Sequence, residues 1–132
     1  MTKRAKREYL IIGLCALLLQ LFILPSLQYA RREYRDGLRR EELAAVKRQL
    51  EDMYNKKNAY PIDFSPSVHR YFVTSQEEGK ANAWYIQASL ENPHETSSGY
   101  DAEEGHNFYY RYMQQDGKTL YEICGGDLSC AL

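Results

Sequence analysis

The stretch Ile23–Tyr54, ILPSLQYARREYRDGLRREELAAVKRQLEDMY, joins two unlike kinds of chain. Upstream, an apolar run closes on Leu24-Pro25-Ser26, and downstream the residues are charged and strong helix formers. Either the proline ends a membrane anchor, or one helix passes through it. Proline removes an interior hydrogen bond and its ring crowds the preceding turn, so a kink is expected at Pro25. Within a membrane such a kink is tolerated, because neighbouring helices or local adjustments satisfy the freed groups. No stop signal follows for a long way. Gly37 is isolated and costs ~1 kcal/mol relative to alanine without ending a helix. Leu43, Val46, Leu50 and Met53 recur at helical spacing, while Lys47, Arg48, Glu51 and Asp52 fill the other side. That is an amphipathic helix with one apolar stripe, suited to packing on a sheet. Lys56, Lys57 and Asn58 make a fitting last turn, and Tyr60-Pro61 closes it. The expectation is one helix from about Lys6 to about Lys57, on the order of 75 Å long at 1.5 Å per residue. Two helices hinged near Pro25 or Gly37 are the alternative.

Toward the N-terminus, Lys3, Arg4, Lys6 and Arg7 precede an apolar run from Tyr9 to Leu27, about the length a bilayer needs. Gln20 is its one strongly polar interruption, tolerable if it faces another helix. A cleaved signal peptide competes, but Gln28-Tyr29-Ala30 is not a small-x-small site and the run is long for a signal, which favours a retained anchor. Basic residues flank both ends, with Arg31, Arg32, Arg35, Arg39 and Arg40 after the span, so their count does not decide orientation. Glu33, Asp36, Glu41 and Glu42 soften that second cluster.

The C-terminal half is rich in tyrosine, twelve in the whole chain, which suits half-buried sheet faces. His69–Ser75, Ala83–Glu91, Asn107–Gln114 and Thr119–Cys124 read as strands. Asp116-Gly117 between the last two is a strong hairpin signal. Phe108, Tyr110 and Tyr112 point one way, with Tyr109, Arg111 and Met113 the other. Residues 91–106, ENPHETSSGYDAEEGH, are too polar for a strand and read as one long loop. A small antiparallel sheet needs cover for one face, and the stripe Leu43, Val46, Leu50, Met53 supplies it.

Formal net charge is −1, so no basic bias points to nucleic acid. His69, His94 and His106 are scattered, without ligand spacing or a paired nucleophile, and Asp101, Glu103 and Glu104 read as a solvated acidic loop. No enzyme, cofactor, metal site or small-molecule substrate is inferred. Cys15 behaves as a small hydrophobe within the span. Cys124 and Cys130, in CGGDLSC, can close a small disulfide loop worth ~2 kcal/mol in an oxidising compartment. A reduced pair is the alternative, and zinc a poor third choice with no histidine nearby. The cysteine pair favours an extracytoplasmic C-terminus.

A short basic leader, a hydrophobic helix with an early glutamate and a proline near its end, an amphipathic continuation and a closing Tyr-Pro together resemble type IV pilin-like proteins, including type II secretion pseudopilins. The likeness is best over the first ~60 residues and elsewhere is one of architecture. Glu8, 17 residues before Pro25, falls where that family has the glutamate that neutralises a neighbouring subunit's N-terminus and sets register. Lys3 stands where the family's peptidase site has glycine, and RAKRE replaces its apolar residues, a degenerate site. A C-terminal disulfide on a small sheet is also common there.

The resemblance implies an α+β, pilin-like fold. Residues 1–8 are then a basic cytoplasmic leader, 9–27 the transmembrane segment, 28–58 the amphipathic continuation and 59–132 an antiparallel sheet domain with a C-terminal disulfide loop. The function implied is a structural or assembly component, minor pilin or pseudopilin-like, in the inner (cytoplasmic) membrane. Its partners would be membrane lipid and other pilin-like subunits or assembly-platform proteins. A membrane-tethered extracytoplasmic binding module using the 91–106 loop is the alternative.

Overall fold

The computed structural model describes residues 3–65, 69–103 and 108–126. The chain forms two compact units, 1–34 and 35–132, and helix α1 (Lys3–Lys57) contributes to both. Pro25 lies inside that helix. The missing proline N–H removes one bond and leaves the rest of the backbone ladder to carry the turn. The helix closes on Asn58, whose φ of 51° is left-handed and whose N–H donates to the Tyr54 carbonyl at 2.7 Å. Asparagine accepts that conformation more readily than most residues, which makes it a natural cap. Lys56 and Lys57 in the last turn complement the helix dipole.

In the first unit the apolar side chains are open to the surroundings: Leu10 is 69% and Phe22 76% exposed. An 18-residue window of α1 has a mean hydropathy of 2.5, long and apolar enough to cross a membrane.

The second unit is α+β. Strands β1 (Arg70–Glu77), β2 (Lys80–Leu90), β3 (Ser97–Asp101), β4 (Phe108–Gln115) and β5 (Lys118–Gly126) form one antiparallel sheet in the order β1-β2-β5-β4-β3. Two tight hairpins build it. Asp116 and Gly117 have φ of 51° and 74°, and Glu78 and Gly79 have 49° and 76°. Positive φ at both central residues is the turn whose twist matches that of the flanking strands. The long-range pairing of β2 with β5, from Ala83↔Gly126 to Leu90↔Thr119, then joins the hairpins.

One sheet face carries Trp84, Ile86, Ala88, Phe108, Tyr121 and Ile123, which cluster with Leu43, Ala44 and Leu50 of α1. Val46, Tyr110 and Tyr112 pack against this core from its margin, and Met53 is half-buried. Ala44, absent from the expected stripe, takes a fully buried place in it. On the opposite face Glu122 is 1% exposed, with Gln87 donating to its Oε2 at 2.8 Å and Arg111 Nε lying 2.7 Å from its Oε1. Partners on both adjacent strands hold this carboxylate, without which its burial would cost several kcal/mol.

The expected loop over 91–106 needs correction, because its middle is β3, paired residue for residue with β4 from Ser97↔Tyr112 to Asp101↔Phe108. An edge strand hydrogen-bonds on one side only and can remain polar, so composition hides it. Gly99 makes room there for a neighbouring ring: a Cβ at this position would lie 2.8 Å from the Tyr110 hydroxyl, so the Tyr110 side chain would have to shift.

Gly125 stands opposite Trp84 in the β2–β5 register, and the indole covers the space a Cβ would take. Overpacking of this kind costs ~1–3 kcal/mol. Gly125→Ala should lower the thermal unfolding midpoint accordingly, and an unchanged midpoint would contradict this packing.

Candidate functional site

Asp36, Leu43 and Leu50 are spaced by seven residues along α1 and all have zero exposure. Seven residues are close to two helical turns, so the three lie on one face. The buried stripe of the helix therefore begins with a carboxylate. Its oxygens meet the end of β2: the Glu91 N–H lies 2.8 Å from Oδ1 and 3.1 Å from Oδ2, and the Asn92 N–H donates to Oδ2 at 2.8 Å. Arg39, one turn along the helix, donates from Nη1 to Asp36 Oδ1 at 3.0 Å. Charge-assisted bonds to backbone N–H groups and to a guanidinium are what a buried carboxylate needs.

A second layer closes over this one. Arg35 grips Glu91 with two parallel bonds, Nε to Oε1 at 2.9 Å and Nη2 to Oε2 at 2.6 Å. Arg39 Nη2 reaches Glu91 Oε1 at 3.0 Å, so one guanidinium serves both carboxylates. Two arginines and two acids thus make a charge-balanced set. The Arg35 hydrogen bond is the main influence that holds the Glu91 carboxyl at about 2, well below its usual 4.5, with burial opposing and Arg39 assisting. The same bond raises Arg35 above its ordinary value. Further along, Arg40 donates to the Tyr112 hydroxyl at 3.1 Å, and His69 Nε2 lies 2.9 Å from Glu42 Oε2.

This is the chemistry of a fastening. It offers no nucleophile beside a base, and among the described residues no cluster of His, Cys, Asp or Glu is arranged to hold a metal. What the site does is fix the rotation and height of residues 35–57 against the sheet.

Of the residues singled out by sequence, Leu43, Val46 and Leu50 meet on the sheet as expected, whereas Glu8 and Pro25 lie apart in the first unit. Glu8 is exposed and lies 3.9 Å from Arg4 in a loose i,i+4 ion pair, and Pro25 is exposed in mid-helix. Cys15 is an exposed free cysteine. Cys124 is buried on β5, while Cys130 and the pairing expected for it lie outside the described residues, as do Glu104 and His106. His94 stacks on Tyr112 with ring centroids 4.6 Å apart. Asp101 accepts the Glu103 N–H at 3.0 Å. Asp36, Arg35 and Arg39, which sequence reads only as parts of a mixed-charge cluster, are the ones the fold uses. The available signal was the heptad step from Asp36 to Leu43 to Leu50. Comparison with family models, curated proteins and solved structures gives no match to this chain.

Asp36→Ala would leave the Glu91 and Asn92 N–H groups without their acceptor at a buried site and take one of the two carboxylates from Arg39, a loss of ~3–5 kcal/mol. Denaturant unfolding should show that loss, with Asp36→Asn less severe because one acceptor remains. Glu91 adds a pH signature. Its folded value is depressed, so its contribution is complete above about 4.5 and disappears as pH falls toward about 2. Glu91→Gln should flatten the fall of the unfolding midpoint across that window, and an unaltered acid limb would count against the pairing.

Proposed function

We propose that this chain is a single-pass, membrane-anchored structural or assembly component, of the minor pilin or pseudopilin kind, in a type IV pilus or type II secretion-type system. The observation that carries the reading is α1 itself. A helix with an exposed apolar first part and an amphipathic second part, running on through a proline, suits a subunit that packs its span beside others and carries a sheet domain after it. The basic residues before the span face the cytoplasm, and the sheet domain lies outside the inner membrane. Cys124 and Cys130 close a disulfide in that oxidising compartment. Glu8, held among the described residues by an exposed pair with Arg4, can exchange that partner for the N-terminus of a neighbouring subunit.

β3 draws residues 97–101 of the 91–106 segment into the sheet, which leaves less free chain for the alternative of a tethered binding module.

Fractionation with an alkaline wash should retain the intact chain in the membrane, and N-terminal sequencing should not find a start near Arg31. A soluble form beginning there would overturn the anchored reading. Glu8→Ala should leave membrane retention unchanged while reducing co-purification with other subunits of the assembly. Equal co-purification would remove Glu8 from its proposed role.

A further inference from the structure

The sheet has two edges, and they are built differently. β1 is interrupted: its register with β2 shifts between Val73 and Ser75 and again between Ser75 and Gln76. Irregularities of this kind, together with charged ends such as Arg70 and Glu77, are how sheets discourage a further strand from adding. β3 lacks such irregularities, and its one charged residue is Asp101 at its end. Its five residues pair with β4 in unbroken register, it contains neither proline nor a basic residue, and it is exposed or half-exposed throughout. Among the described residues no strand lies on its outer side. Beside that edge Tyr100 and Tyr109 form an aromatic pair, ring centroids 4.9 Å apart, which remains 51% and 42% exposed.

The sequence of this edge is also compatible with itself. We propose that two copies of this chain pair antiparallel through β3 about Gly99, making one sheet continuous across both. In that register Ser97 faces Asp101 of the other copy, Ser98 faces Tyr100, and glycine faces glycine. No like charges meet, and each Tyr100 ring gains a Ser98 neighbour across the new seam, extending the Tyr109–Tyr100 row. Shifting the pairing to centre on Ser98 or Tyr100 would leave two end residues of each strand without a partner in the other. Gly99 at the axis adds no bulk that would hold the backbones apart. The two-fold axis makes the interface isologous and closed, so it yields a dimer and not an open fibre. The inference goes beyond the proposed function and does not rest on it, since the edge would behave the same way in any membrane-anchored copy of the domain.

A register-specific cross-link tests it. Two differently tagged full-length chains, one Ser98→Cys and one Tyr100→Cys, both also Cys15→Ser, would be co-reconstituted in phosphatidylcholine vesicles and mildly oxidised. Both cross-linking positions are exposed, so folding should be preserved. Directly opposed residues lie within disulfide reach, whereas the 98–98 and 100–100 pairs are offset along the strands beyond it. The mixed disulfide should exceed either like pair several-fold. Equal yields of the three species, or none, would overturn the proposal. A charge pair gives the second reading. Ser97→Asp places two carboxylates opposite one another twice per dimer and should lower the cross-linked fraction by about two- to thirtyfold, while Ser97→Lys should preserve or raise it. A fraction indifferent to the sign of the charge would overturn the register.

Discussion

The contact between Asp36 and the backbone of Glu91 and Asn92 governs the arrangement of the second unit. A carboxylate with zero exposure can exist only where its hydrogen bonds are supplied, and here two consecutive strand-end N–H groups and Arg39 supply them. Once Asp36 is seated, the rotation of this part of the helix is determined. Leu43 and Leu50, on the same face, must then meet Trp84, Ile86 and Ile123. Apolar packing alone would permit a helix to slide or turn by a fraction of a residue, because such contacts carry little direction. The aspartate adds the direction.

The sheet's other face repeats the device with different parts. Glu122 is held between Gln87 on β2 and Arg111 on β4, in register across three strands. A slip of β2 or β4 by one residue would turn its partner to the opposite face and leave a buried charge alone. Strand register is thereby reported by one acid and helix register by another, while the apolar core contributes most of the cohesion.

Much of this could be read from sequence because much of it is local. The passage of α1 through Pro25, the Asn58 cap and the Asp116-Gly117 turn each depend on neighbouring residues. Four of the five strands carry aromatic and β-branched residues that announce them. β3 does not, because Ser97-Ser98-Gly99-Tyr100-Asp101 at an edge buries little and needs no apolar alternation. Asp36 was hidden for a different reason. Among Arg35, Arg39 and Arg40 it has the composition of a solvated helix face, and its partners are main-chain groups 55 and 56 residues away that no side-chain pattern encodes.

That separation has a consequence for the order in which the molecule can form. A chain emerges N-terminus first, at roughly 5–20 residues per second, so α1 is available seconds before the end of β2 exists. Until Glu91 and Asn92 arrive, Asp36 stays hydrated and the Leu43–Leu50 face has no sheet to cover it. The two hairpins close quickly from local contacts, but β2–β5 pairing and the seating of Asp36 require long loops to close first and are slow by comparison. Newly made chains therefore pass through an interval in which a helix with two apolar surfaces is present without its domain.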